Sequence, residues 1–554
     1  MRREIVLILL VMLHAAPLKS QESDGVKYIA QLLAKDPEEL SEEELIHYEE
    51  LIRRPLSINA ASQERMAESS LFTRYQIASL TDYIKRCGQI LSFTELCLMD
   101  GFNEDFVRKI KPFVSLEHVP ELKGRSAHEL TSRVTLRNSS GESRYGYAGR
   151  YKFKAGERVS ASLALSRSLN ASRPVPDAVS GSVAVRFRKV PMRLCLGDYN
   201  ARFGQGLSLW SGTDFSSLNT PSAFMKRPSG IIGSSSFTGS GVMTGAAAEF
   251  DLKRFSLAAF ASVIGLRTNN IQQECLKISP GFNATWLWKY GQLGATHYNK
   301  SSSIDFSACY NGVDLFWEFA YDWAKGRHAA LAGVIFPVGD LIDLSAMTKY
   351  SAREHMLALG GSLDTRKRLS GSMSANAILY SEPKSSTQDK SLQIKFHTQW
   401  QYALGESLVL KLRVTERIRS WGQTFRTDVR TDVSWQAEHL SAVFRFNMLR
   451  CVETSFLTYA EGGCKFGNIA VYLRQGAFCV DKWDDRIYAY ERDAPGCYNS
   501  PAFYGRGVWS SFYASWKASG WCKIYFRAGY TSYPFMEEKK PGKAELRFQT
   551  VFSF

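Results

Sequence analysis

The sequence predicts a mainly β chain, a transmembrane antiparallel β-barrel of about 16–20 strands preceded by a small all-α domain. Three observations predict it. An apolar leader opens the chain, and no later run is long enough for a spanning helix. The body alternates apolar and polar residues with a period of two, and aromatics make up 13% of the chain. Without a spanning helix, only closed strands can cross a bilayer, because an open sheet edge leaves backbone groups unpaired in hydrocarbon.

Residues 1–20 read as a signal peptide: Met1-Arg2-Arg3, an apolar run over 5–13, then a small-residue exit near Ser20-Gln21. The run is short of the ~20 residues a spanning helix needs, and no Cys follows it to carry a lipid. Residues 21–116 are helical in pattern. Ser41-x-x-Glu44 and Ser92-x-x-Glu95 are capping-box spacings. Leu45, Tyr48, Leu51 and Ile52 follow at helical spacing until Pro55; Ile77, Leu80, Tyr83 and Ile84 mark a helix ending at Cys87-Gly88; Phe106, Ile110 and Phe113 mark the last. Five or six short helices are expected. Residues 117–130, polar with Pro120 and Gly124, read as a linker.

From 131 to 554 the period is two. Val313, Leu315, Trp317, Phe319 and Tyr321 oppose Asp314, Phe316, Glu318, Ala320 and Asp322. Leu410, Leu412 and Val414 oppose Lys411, Arg413 and Thr415; Phe444, Phe446 and Met448 oppose Arg445 and Asn447; Ile524, Phe526 and Ala528 oppose Lys523, Tyr525 and Arg527. Lys411, Arg413, Arg445, Lys523 and Arg527 are thus the candidate lumen residues. A soluble sandwich also alternates, but strands near ten residues and aromatics crowding strand ends favour the barrel. The closing segment puts Leu546, Phe548, Thr550, Phe552 and Phe554 on one face and Glu545, Arg547, Gln549 and Ser553 on the other.

Charge is partitioned. Residues 21–116 carry 11 Lys/Arg against 17 Asp/Glu, a net −6; residues 117–554 carry 55 against 36, a net +19. An open lumen with that balance would prefer anions. The ten Cys form no C-x-x-C, which excludes zinc and thioredoxin-type sites. Cys451, Cys464, Cys479 and Cys497 are close enough in sequence to pair, and equally suited to being small apolar fillers. Gly239-Ser-Gly-Val-Met-Thr-Gly245 lacks a Lys-Ser/Thr ending and reads as a barrel turn or bulge. Asp481, Asp484, Asp485, Glu491 and Asp493 lack the glycine of a calcium loop and read as a solvated loop. No catalytic residue, metal ligand or cofactor motif emerges, and no enzyme is expected.

Two resemblances bear on address and identity. The terminal strand, with Phe548, Phe552 and Phe554, resembles the sorting signal of Gram-negative outer-membrane barrels, which implies outer-membrane lipids and the barrel-assembly machinery as partners. Pro55-Leu-Ser-Ile-Asn-Ala-Ala-Ser, Gln76-Ile, Phe93-Thr-Glu-Leu and Asp100-Gly101-Phe102-Asn103 together resemble a ComEA-like tandem helix-hairpin-helix domain. Gly197-Asp-Tyr-Asn-Ala-Arg-Phe-Gly-Gln-Gly-Leu-Ser-Leu-Trp210, 486–493 and 501–507 resemble segments of outer-membrane barrels carrying such a head. The resemblance implies a periplasmic head, with Asp100, Gly101, Phe102 and Asn103 as the candidate hairpin for a partner or DNA. Such hairpins grip phosphate with backbone N–H groups. Here the first, 69–73, has no Gly, and the second has Asn103 where a Gly is expected, among carboxylates. DNA affinity rests on phosphate neutralisation, so an acidic head argues against it. The expected function is a transport or assembly scaffold in the outer membrane. Its head would dock a periplasmic protein or the basic body; a DNA-uptake pore and a barrel-embedded hydrolase are the alternatives.

Overall fold

Period-two alternation becomes a closed wall. The structure, a computed structural model, describes residues 25–554 except 34, 118–125, 157, 188–189, 213–217, 238–240, 253, 265–276, 340, 366–367, 383, 385–390, 406 and 538–539. The expected signal peptide and most of the expected linker fall outside the described residues.

Among these residues 24 antiparallel strands form one ring, from Ser126–Ser139 to Lys543–Ser553. The last strand pairs with the first, Phe552 opposite Leu130 and Phe548 opposite Val134, so no edge is left. The mainly β barrel is as expected; the strand number is not 16–20 but 24. Eleven hairpins at the rim holding the chain ends close with only two to five residues, so the body fits more strands than longer connections would allow. The other rim carries the long connections, among them 203–242 and 481–504. The first strand begins at Ser126, inside the segment read as linker. Its Glu129 is buried and its Leu130 faces out: lumen-facing polar residues read as linker when taken without their partners.

The outer face is apolar, as hydrocarbon demands: Phe319, Phe444, Leu546 and Phe548 are all exposed there. Rings gather towards the rims. Tyr290 and Tyr310 meet edge-on at 5.1 Å and Trp521 stacks near Phe552 at 5.9 Å on one side, with Tyr321 and Trp323 at 4.7 Å on the other.

Among the described residues six α-helices form the head: α1 Gly25–Leu33, α2 Glu42–Arg53, α3 Gln63–Glu68, α4 Arg74–Cys87, α5 Phe93–Cys97 and α6 Glu104–Ile110. They share an apolar core of their own, with Leu45, Leu80, Leu96 and Phe113 fully buried. Ser41 and Glu44 make the expected reciprocal cap of α2. At α5 the reciprocity fails: Ser92 accepts from Glu95 N, but the Glu95 side chain takes Leu91 N at 2.8 Å and Tyr83 Oη at 2.7 Å. Thr73 and Gln76 cap α4 reciprocally instead. Gly88, at φ 91°, ends α4 where expected.

Candidate functional site

The head sits inside the barrel. Its side chains reach wall residues on opposite sides of the lumen, mostly in the half near the rim of the chain ends. The contact is ionic. Asp36 accepts from Arg413 Nη1 at 2.7 Å. Glu38 bridges two strands, accepting from Arg430 Nη1 at 3.2 Å and Arg445 Nη1 at 2.8 Å. Asp432 sits between the same two arginines, at 2.8 and 2.5 Å. Across the lumen Glu50 takes Lys152 and Lys154, each at 2.6 Å, and Glu42 faces Arg133 at 3.5 Å. Glu68 joins Arg186 at 2.5 Å and Arg193 at 2.8 Å. Two pairs run the other way, Arg53 of the head to Glu129 of the wall at 3.2 Å and Arg108 of the head to Asp364 of the wall at 2.5 Å. The apolar seam between head and barrel is small: Ile46 against Ala148, Ala164 and Phe237.

Local sequence explains the geometry. The Ser41 cap starts α2 with acids in its first turn, where the helix dipole favours them, and aims Glu42 and Glu43 at wall cations. Burial alone would raise the pKa of these carboxyls. The wall cations outweigh it: Arg413 holds Asp36, Arg430 and Arg445 hold Glu38, and Lys152 and Lys154 hold Glu50 below the usual carboxylate range. Glu68, beside Arg186 and Arg193, falls to about 2. Glu43 goes the other way, raised by burial that Arg202 does not fully offset.

Two long connections also fold inwards. Glu318 receives the backbone N–H groups of Gln205 at 2.7 Å, Leu207 at 3.0 Å and Ser208 at 3.3 Å. Gly204 has φ 56°, and a side chain there would meet the Glu318 carboxylate at 3.0 Å. In 481–504 three of the five acids expected to be solvated are buried, while Asp484 is exposed. Asp485, fully buried, takes the N–H groups of Cys451, Val452 and Glu453 at 2.8–2.9 Å, while Glu491 pairs with Arg527 and Asp493 with Arg547. A loop acid looks solvated in sequence when its basic partner lies far along the chain. Nine cysteines are unpaired, and no disulfide occurs among the described residues.

All five lumen candidates lie on inward-facing strand positions. Arg413 and Arg445 meet head acids; Arg527 is held by Glu491 and Glu545; Lys411 lines a cavity; Lys523 shares the face of Arg527. The hairpin candidates lie elsewhere. Gly101, at φ 86°, accepts from Gln76 Nε2 at 2.7 Å; Phe102 packs in the head core; Asn103 caps α6. Asp100 is exposed. Gly101 and Asn103 face wall residues Cys309, Asp314 and Asp343 across a small cavity of about 110 Å³. Phe548 and Phe554 are exposed on the outer face, with Phe552 beside Trp521. The head acids were absent from the sequence-derived candidates; their signal was the opposition of a −6 head and a +19 body.

Two larger cavities flank the head, of about 790 and 980 Å³. No metal-like cluster of His, Cys, Asp and Glu occurs among the described residues.

No protein-family model matches the chain. No curated protein matches it either. Among solved structures it is similar to the P pilus usher PapC translocation pore, at TM-score 0.40 and 9% identity over 77% of this chain and 99% of that one. It is similar to the siderophore receptor PirA from Pseudomonas aeruginosa, at TM-score 0.42 and 8% identity over 78% and 81%. A third likeness is to OccK11 of Pseudomonas aeruginosa, at TM-score 0.30 and 10% identity over 78% and 96%.

Proposed function

We propose that this chain is a gated outer-membrane transport barrel whose N-terminal helical domain is its plug, held closed by the pairing of head carboxylates with lumenal cations. The observation that carries the reading is the latch of Asp36, Glu38, Glu50 and Glu68 on Arg413, Arg430, Arg445, Lys152, Lys154, Arg186 and Arg193. Short turns on the rim of the chain ends and long connections on the other support a periplasmic face for the head. The docking partner of the head is then the barrel's own basic body. Withdrawing the head uncovers the cations it neutralises, so the open lumen selects anions. DNA binding by the hairpin is the weaker reading, since Gly101 and Asn103 face the wall beside Asp314 and Asp343.

Planar-bilayer conductance tests it. The wild type is expected to be quiet. The charge reversals Glu38→Arg and Glu50→Lys are expected to give anion-selective current. A wild type that conducts freely, or reversed latches that stay silent, would refute the plug.

A further inference from the structure

The two cavities beside the head differ in charge. In the larger, eleven Lys and Arg face nine Asp and Glu, wall acids Asp432 and Glu461 among them, so it is close to neutral. In the smaller, eleven Lys and Arg face four Glu, and all four (Glu43, Glu44, Glu50 and Glu68) come from the head. The wall of that cavity, strands Glu142–Ala155 to Met192–Arg202 with their turns, contributes six basic residues and no acidic one among the described residues. Two of these have a wall carboxylate close by, Arg193 with Glu249 at 2.5 Å and Lys152 directly across the strands from Glu129. Arg158, exposed on a turn at the rim, makes no side-chain ion pair among the described residues. Deeper in, Arg227 stacks on the Phe106 ring at 4.6 Å. Hydroxyls are interleaved: Ser162 and Ser182 lie 2.8 Å apart and share the Ser234 carbonyl. Trp210 closes the inner end, with Lys226 Nζ 4.8 Å from its ring centre.

Concentrated positive charge and about 790 Å³ of space define a site for a negatively charged ligand of modest size. We propose that this cavity binds a multivalent oxyanion of the phosphate type, entering at the rim by Lys154 and Arg158 and coming to lie between the wall cations and α2. The inference deepens the gated-barrel reading, since such a ligand competes with Glu50 and Glu68 for the same cations. It rests on that reading only for this consequence. Binding itself concerns the closed protein.

The test is calorimetric titration of the full-length protein in detergent with sodium tripolyphosphate, and with spermine as a polycation control. The site predicts saturable 1:1 binding that weakens with added salt, and no binding of spermine. Lys154→Gln combined with Arg158→Gln is expected to weaken binding at least about tenfold, through the loss of two charge-assisted contacts. Glu50 keeps Lys152 in that variant, so the head stays latched. Lys465→Gln, in the neutral cavity, is expected to leave binding unchanged. Absent binding, or an equal loss in Lys465→Gln, overturns the site whether or not the barrel conducts. A second arm separates two sources of the same chemistry: phosphatidylglycerol in the micelles blocks tripolyphosphate if a lipid headgroup is the occupant, and leaves it unaffected if a free oxyanion is.

Discussion

Glu38→Gln is the sharpest single test of the latch. Glu38 is 11% exposed at its side chain and faces Arg430 and Arg445, at 4% and 10%. Removing one partner of a buried pair costs about 3–5 kcal/mol, because the remaining charge is left in a poor medium. Asp432 stays between both arginines, at 2.8 and 2.5 Å, so the low end applies. About 3 kcal/mol is roughly a 150-fold shift from docked to released head. The assay is the open fraction in planar bilayers, with the exposed Asp82→Asn as control. Barrel melting, followed by heat-modifiable gel migration, should not change, since no strand pairing involves Glu38. An open fraction within about twofold of wild type would refute the reasoning: the lumenal arginines would then be satisfied without the head.

Three further outcomes follow from the same contacts. The latched acids have pKa values lower than in a released head, with Glu68 at about 2, so docking is fully favoured above about pH 5 and is lost as pH falls from about 4.5 towards 2. Conductance should therefore stay low from pH 8 to pH 5 and rise only below that; opening near pH 6 would contradict it. Gly101→Val places a side chain at φ 86° and 2.8 Å from Tyr75 Cε1, which should destabilise the head by about 2 kcal/mol and speed its cleavage in limited proteolysis. Asp485→Asn weakens three N–H contacts to 451–453 and should expose 481–504 to protease without shifting the barrel's migration.

The wall was legible because a barrel writes its two environments into alternate residues. Phe444, Arg445 and Phe446 state outside, inside, outside without help from the rest of the chain. The helices were legible through caps and through Gly88. What the sequence does not carry locally is partnership across the lumen. Glu38 meets Arg430 and Arg445 from some four hundred residues away, and nothing in its neighbours Pro37 and Glu39 marks that. Only the bulk opposition of acidic head and basic body hinted at it, and it pointed to the hairpin around Asp100 rather than to α2. The inward folding of 203–210 was hidden for the same reason: nothing in its own residues marks Glu318, the carboxylate that Gln205, Leu207 and Ser208 wrap around, which belongs to another strand.

The kind of contact between head and barrel bears on how a gate could work. A plug that shared an apolar core with its barrel could leave only by exposing that core, at about 25 cal/mol per Å² of apolar surface. Here the head keeps its own core, with Leu45, Leu80, Leu96 and Phe113 buried among head residues, and offers the wall little more apolar surface than Ile46. Ion pairs are different in kind. Water and small ions that enter the lumen can replace each partner, so breaking them costs far less once the seam is wet. A head built this way can leave as a folded unit, and what opposes its leaving is a set of charges that another anion can imitate. The uneven distribution of those charges matters most. The wall of the smaller cavity has cations that the head's four glutamates do not fully match, so a competing anion meets least resistance there. Release should therefore begin at Glu50 and Glu68, with the Glu38 bridge, whose cations line the near-neutral cavity, the last contact to part.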